Sequence, residues 1–227
     1  SVAADDQVTN LAESTDVSLS LAGIGGDAAS VSVAITDGTN TVNADATNDG
    51  SGWVVADQDL SGLADGALTV SATVTDQAGN SAPAVSASLT LDTSADVDTN
   101  FAVSVAADDQ VTNLAESTDV SLLLAGIDAD AASVSVEITD GVNTVAADAS
   151  YDASTGWTVA DQDLSSLADG TLNVTASVTD AAGNSAPAVS ASLTLDTVAD
   201  LGDAFTVSVA ADDQVTNLAE STDVSLL

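Results

Sequence analysis

The 227 residues contain no lysine, arginine, histidine, cysteine or methionine. Each absence closes a class of chemistry. Without His, Cys or Lys there is no Ser–His pair, thiolate nucleophile, Schiff base or ordinary zinc site, so the chain is not expected to be an enzyme. Without basic side chains nothing meets phosphate, which excludes nucleic acid as a partner and makes an anionic membrane surface repulsive. Zero cysteine leaves the redox compartment open and removes disulfides as staples. No apolar run approaches the ~18 residues of a membrane helix, so no membrane insertion is expected. Aromatic residues make up 2% of the chain, too few to line a cleft where paired carboxylates hydrolyse glycosides.

What remains is acid and small apolar residues. The 36 Asp and Glu give a formal net charge of −36, and no side chain can form a salt bridge with any of them. Two carboxylates 4 Å apart repel by roughly 4 kcal/mol at an effective dielectric near 20. Only protons, bulk cations or bound metal relieve that, and the hard oxygen ligands of Asp suit calcium. The 45% of apolar residues argues against disorder.

The sequence also repeats. Ser1 to Leu19 reads SVAADDQVTNLAESTDVSL, and the same letters return at Ser104 and Ser208, at spacings of 103 and 104 residues. Solenoid units run roughly 20–50 residues, so this period is that of an independently folded domain. An active site needs one copy; an array suits a task done by number, such as length or reach. No signal peptide opens the sequence, and both ends fall in mid-pattern, as in a piece cut from a longer array.

Apolar residues alternate within each repeat. Val120, Leu122 and Leu124 share a face, as do Val134, Val136 and Ile138, with Ser133, Ser135 and Glu137 opposite. Leu172, Val174, Ala176 and Val178 continue the pattern, as do Val189, Ala191, Leu193 and Leu195. Period two with Ser and Thr between predicts half-buried antiparallel strands. Turn signals such as Asp37-Gly38, Asp140-Gly141 and Gly183-Asn184 separate them. The second repeat predicts strands near 102–107, 118–125, 133–139, 143–149, 156–161, 171–179 and 187–196. Seven short strands in one repeat predict an all-β fold of tandem immunoglobulin-like sandwiches joined end to end. Trp53 and Trp157 are expected to anchor the core, and Tyr151 is the one plausible exposed ring. The predicted division is repeat 1 at 1–92, an acidic linker at 93–100, repeat 2 at 101–196, a second acidic linker at 197–204, and two strands of a third repeat at 205–227. Two strands cannot bury a core alone.

Three runs carry a resemblance: GWTVADQDL (156–164), LADGTLNVTASVTDAAGN (167–184) and LTLDT (193–197), and the order of the last two recurs across 63–93. They resemble the bacterial immunoglobulin-like extender repeats of giant BapA-like and RTX-type surface adhesins of biofilm-forming and ice-binding kinds. That resemblance implies an extracellular location on the bacterial cell surface. It also implies a structural role in cell adhesion, in which repeats hold a distal binding region away from the cell and calcium stiffens their joints. The distal ligand is then outside this segment, and the partners are calcium ions and adjacent repeats. Many family members follow the Asp-Thr with Thr-Ala-Pro; here Ser-Ala-Asp and Val-Ala-Asp stand instead, trading proline for a carboxylate.

In such a sandwich, the loop between strands one and two lies at the same pole as the end of the last strand. Stacking sets that pole against the opposite pole of the next module. For the first joint the candidate calcium ligands are Asp5, Asp6, Glu13 and Asp92 from module 1, Asp96 and Asp98 from the linker, and Asp128, Asp130 and Asp180 from module 2. For the second joint they are Asp108, Asp109, Glu116, Asp196, Asp200 and Asp203. Calcium takes 6–8 oxygens. The competing reading is that these Asp residues form turns and solubilise; Asp57, Asp59, Asp161 and Asp163 are expected solvated at a strand edge. Two rival functions are a self-assembling extracellular filament subunit that uses strand addition, and a carbohydrate-binding module of a secreted protein.

Overall fold

The alternation folds as two like sandwiches in series. The computed structural model describes residues 7–95, 97–105, 110–199 and 205–206. Among them every regular element is a strand. Module 1 contains β1 (Val8–Thr9), β2 (Val17–Leu21), β3 (Ala28–Thr36), β4 (Thr41–Asp45), β5 (Thr47–Asn48), β6 (Trp53–Gln58), β7 (Gly66–Asp76) and β8 (Val85–Leu91). Module 2 contains β9 (Val97–Val105), β10 (Val111–Asn113), β11 (Val120–Ile127), β12 (Ala131–Thr139), β13 (Thr144–Asp148), β14 (Ser150–Asp152), β15 (Gly156–Gln162), β16 (Gly170–Asp180) and β17 (Val189–Asp196).

In module 2 one sheet runs β10-β17-β16-β12-β13 and the other β14-β15-β11-β9. Module 1 repeats this as β1-β8-β7-β3-β4 and β2-β6-β5. The register explains the core. Val134, Val136 and Ile138 stand opposite Val178, Ala176 and Val174, and all six are at most 1% exposed. Burying such a side chain stabilises by roughly 1.5–3 kcal/mol. On the outer face of the same pair, the Ser135 and Ser177 hydroxyls meet at 2.9 Å. Trp53 and Trp157 are half-buried against their cores. Tyr151, 64% exposed, tilts over Trp157 at 5.5 Å.

The structure departs from the sequence reading in two ways. The first strand of module 2 starts at Val97, inside the segment read as a linker, rather than near 102. A bulge makes this possible. Gly126 has a φ of +72°, and a Cβ there would lie 2.3 Å from the Phe101 nitrogen, so only glycine lets β11 close on β9 and pair Ile127 with Val97. Asp92 to Asp96 alone then separate β8 from β9, and Ala95 already belongs to the module 2 core. Second, β1 and β10 pair in parallel with β8 and β17. The chain leaves the β11 sheet after β9 and joins the opposite sheet at β10, which two- and three-residue strands do not announce. The expected strands of a third repeat lie outside the described residues apart from Phe205 and Thr206.

Candidate metal centre

Three carboxylates converge where the modules meet. Asp180 ends β16 and folds a tight turn onto Asn184, whose N–H donates to Asp180 Oδ1 at 2.8 Å and whose Nδ2 donates to Oδ2 at 2.8 Å. Asp130 enters β12 beside it, because the register sets Ala131 opposite Asp180 and the Ala181 N–H donates to the Asp130 carbonyl at 3.0 Å. Asp92 leaves β8 on the module 1 side, its N–H donating to the Thr9 carbonyl at 2.9 Å.

The joint itself is stitched by amides. Asn184 Nδ2 donates to the Asp92 carbonyl at 2.8 Å and to Asp92 Oδ1 at 3.2 Å. The Leu11 N–H donates to Asn184 Oδ1 at 2.8 Å, and Asn10 Nδ2 donates to the Ala182 carbonyl at 3.0 Å. Asn184 is 5% exposed and Asp180 2%.

Asp92, Asp130 and Asp180 each bring one carboxylate oxygen within 4.8 Å of the others. Asp130 Oδ1 is wholly buried and has no hydrogen-bond partner. Such an atom loses its hydration without compensation, typically at 1–3 kcal/mol or more when charged. Burial pushes the Asp92 carboxyl above its ordinary value, and the charges of Asp180, Asp65 and Asp130 push the same way. The cluster is thus short of positive charge, and its donors are all hard oxygens.

Module 1 supplies an internal control. Its counterparts of Asp130, Asp180 and Asn184 are Asp27, Asp76 and Asn80. The turn is the same, with Asn80 donating to Asp76 at 2.8 Å through both N–H and Nδ2. Asn80 is exposed, however, and Asp76 half-buried; here the Asn80 donors hold the Asp76 carboxyl below its ordinary value. Burial of the turn comes from the neighbouring module, not from the turn.

Among the described residues, the other sequence candidates lie outside this cluster. Glu13 and Glu116 cap their own turns, accepting from the Asn10 and Asn113 N–H groups at 3.1 and 3.0 Å. Asp98 lies on β9 and accepts from the Asn100 N–H. Asp128 is exposed, as is Asp196 at the end of β17. Asp5, Asp6, Asp96, Asp108, Asp109, Asp200 and Asp203 lie outside the described residues. Asn10, Leu11 and Asn184 were not among the candidates; Gly183-Asn184 read only as a turn, although an Asn-Leu pair exposed in a turn twice over was a signal of contact.

Several acids are turn braces. Asp37 accepts from the N–H groups of Thr39, Asn40 and Ala64 at 2.7, 2.6 and 2.9 Å. These donors hold its carboxyl well below the usual range, and Asp140 is held likewise. Asp57 and Asp161 sit at left-handed φ of 53°. A hydrogen bond and the charge of Asp16 push the Asp57 carboxyl above its ordinary value, and those of Asp161 push up the Asp119 carboxyl.

No curated protein matches. Among solved structures the chain is similar to a Ca2+-stabilised adhesin that helps an Antarctic bacterium reach out and bind ice, at 30% identity and a TM-score of 0.54, over 95% of this chain and 52% of that one. It is also similar to a tetra-tandem repeat in the extending region of a large adhesion protein (32% identity, TM-score 0.39, 91% of this chain, 52% of that one). A 1.5-MDa bacterial ice-binding adhesin matches at 27% identity and a TM-score of 0.47, over 95% of this chain and 68% of that one. The chain thus spans about half the length of the first two. The model of the bacterial Ig-like domain matches twice, at residues 1–93 and 95–197, one match to each sandwich, and the chain belongs to that family.

Proposed function

We propose that this chain is an extender segment of a bacterial cell-surface adhesin, working outside the cell, with a calcium ion stiffening the joint between its modules. The observation that carries this is the buried, unpartnered Oδ1 of Asp130 at a module-to-module carboxylate cluster in a chain without a cationic side chain. Asp92 from one module and Asp130 and Asp180 from the other would hold the ion, whose chemistry is to balance their charge with 6–8 oxygen ligands. The residues themselves do the orienting. Asn184 fixes Asp180 and Asp92 together, and the Ala181 N–H fixes the Asp130 backbone. Only five residues link the strands on either side, so a locked cluster leaves the joint little freedom. Reach follows from strand length, since the 11 residues of β16 span roughly 36 Å.

Calcium binding measured by calorimetry tests the reading, with Asp130→Asn beside the control Asp27→Asn in module 1. The expected result is calcium affinity reduced at least tenfold by the first and unchanged by the second. Equal affinity in both variants would remove the joint as the calcium site.

A further inference from the structure

The Leu-Ala-Asp-Gly run at 63–66 and the Leu-Asp-Thr run at 91–93 meet at the end of module 1 that faces the joint. Gly66 opens β7 opposite Leu91, the last residue of β8, so Asp65 and Asp92 flank the end of that ladder. The exposed Asp65 carboxylate takes hold of the linker. It accepts from the Thr93 N–H at 3.0 Å, from Thr93 Oγ1 at 2.9 and 3.1 Å, and from Ser94 Oγ at 3.4 Å. The Ser94 N–H in turn donates to the Asp92 carboxylate. The next residue, Ala95, is 8% exposed in the core of module 2. Thr93 and Ser94 are thus fastened to one module and Ala95 to the other, which confines the pivot to the bonds around Ser94 and Ala95.

The same clamp closes the far end of module 2. Asp169 accepts from the Thr197 N–H at 3.0 Å and from Thr197 Oγ1 at 2.8 Å, and Gly170 stands opposite Leu195. The whole length of β16 separates this second clamp from the joint, since Gly170 begins that strand and Asp180 ends it. Charge and geometry pull in opposite directions at Asp65. Its charge is among those that push the Asp92 carboxyl up, and so it opposes the gathering of carboxylates. Its hydrogen bonds hold the two residues after Asp92 in their docked conformation.

We propose that Asp65 is the positioning residue of the joint: by pinning Thr93 and Ser94 it shortens the hinge and presents Asp92 to Asn184 and to the calcium ion. A linker ordered beforehand loses less entropy when the modules dock. Outer partners of a metal ligand typically change metal affinity about 10–100-fold when mutated. The calcium part rests on the reading of the cluster as a calcium site. The hinge part holds without the ion and is tested in chelator.

Two variants separate position from charge. Asp65→Ala removes both. Asp65→Asn removes the charge but keeps an acceptor oxygen for the Thr93 N–H and an amide for the Thr93 hydroxyl. Hydrogen exchange is read in chelator at the Leu11 amide, whose bond to Asn184 crosses the joint, with the amides of β3 checking that module 1 is folded. Asp65→Ala is expected to lower Leu11 protection about fivefold or more, with Asp65→Asn within about twofold of wild type and Asp169→Ala without effect. An Asp65 that acted only as a charge beside Asp92 would give the opposite sign, because both variants would relieve repulsion. Leu11 protection unchanged or raised in Asp65→Ala overturns the proposal, as does an equal loss in Asp65→Asn or in Asp169→Ala. If Asp65→Ala also loses protection in β3, Thr93→Val, which removes the hydroxyl alone, decides: a loss of about twofold or more at Leu11 is expected, and no loss overturns the proposal. Calorimetry then reads the calcium part, with affinity expected to fall about tenfold in Asp65→Ala and unchanged affinity overturning that part. A wild type whose calcium binding is the same as that of Asp130→Asn would overturn the calcium reading itself, a result separate from the chelator measurement.

Discussion

Replacing Asn184 by alanine isolates what the neighbouring module adds to a turn that also occurs without one. The substitution removes four hydrogen bonds. One of them, to Asp180 Oδ2 at 2.8 Å, is matched in the exposed turn by Asn80 and Asp76. The other three cross the joint, to the Asp92 carbonyl, Asp92 Oδ1 and from the Leu11 N–H. Asn80→Ala therefore measures the local share, and the difference between the two variants measures the joint. A neutral hydrogen bond contributes about 0.5–1.5 kcal/mol net and one to a charged group about 1.5–3 kcal/mol. With these three bonds lost, two neutral and one to a carboxylate, the joint is expected to weaken by about 2.5–6 kcal/mol more than the Asn80 change costs. The ceiling is the docking free energy, because undocking returns every orphaned group to water. Hydrogen exchange at the Leu11 amide reads the effect at its own donor: a 2 kcal/mol loss is about 30-fold in protection. If Leu11 protection is the same in wild type and Asn184→Ala, or if the two alanine variants lower stability equally, the joint is not held by Asn184 and the reasoning fails.

Further outcomes follow from the same geometry. Calcium at 100 times its dissociation constant is expected to stabilise the docked form by about 2.7 kcal/mol, seen as a rise in melting temperature over chelator at equal ionic strength and absent in Asp130→Asn. In chelator, docking is expected to tighten as pH falls. The docked Asp92 has a raised pKa and binds the proton better than the undocked one, so stability present at low pH is lost as pH rises through the docked value. In calcium the dependence reverses, since acid competes with the ion; Leu11 exchange against pH checks both signs. Asp37 and Asp140 give the opposite sign at lower pH, their bracing being lost only as pH falls through their depressed values. In the core, Leu122→Ala, at a fully buried position, is expected to cost about 2–5 kcal/mol. Leu123→Ala, 47% exposed on the other face, is expected to stay within about 0.5 kcal/mol, as denaturant midpoints will show.

The sandwich was legible wherever alternation ran long enough to fix a face. Val134, Val136 and Ile138 read as one buried row and are one, because a one-residue slip would turn all three to solvent. The first half of β9 was not legible. Asp98 and Asn100 read as linker chemistry, and the bulge that holds them in a strand depends on Gly126, more than 20 residues away. The parallel pairing of β1 and β10 was hidden for a similar reason: a few residues have no periodicity, and tertiary contact decides their partner. At the joint, the poles of a sandwich put Asp92, Asp130 and Asp180 into one candidate set from three distant stretches. It also gathered Glu13 and Glu116, which have nearer tasks in their own turns. Composition cannot separate an acid that braces a turn from one that faces a neighbour; the donors around it do. Asn184 escaped because a Gly-Asn turn looks the same in sequence whether or not another module buries it, as Asn80 demonstrates.

The central claim is that calcium turns a hinge into a rigid joint, and small-angle scattering of the full chain in calcium and in chelator tests it most directly. The account predicts a longer maximum dimension and a narrower distribution of distances in calcium, with the change lost in Asp130→Asn. Identical scattering in the two conditions, with calcium shown to be bound, would contradict it.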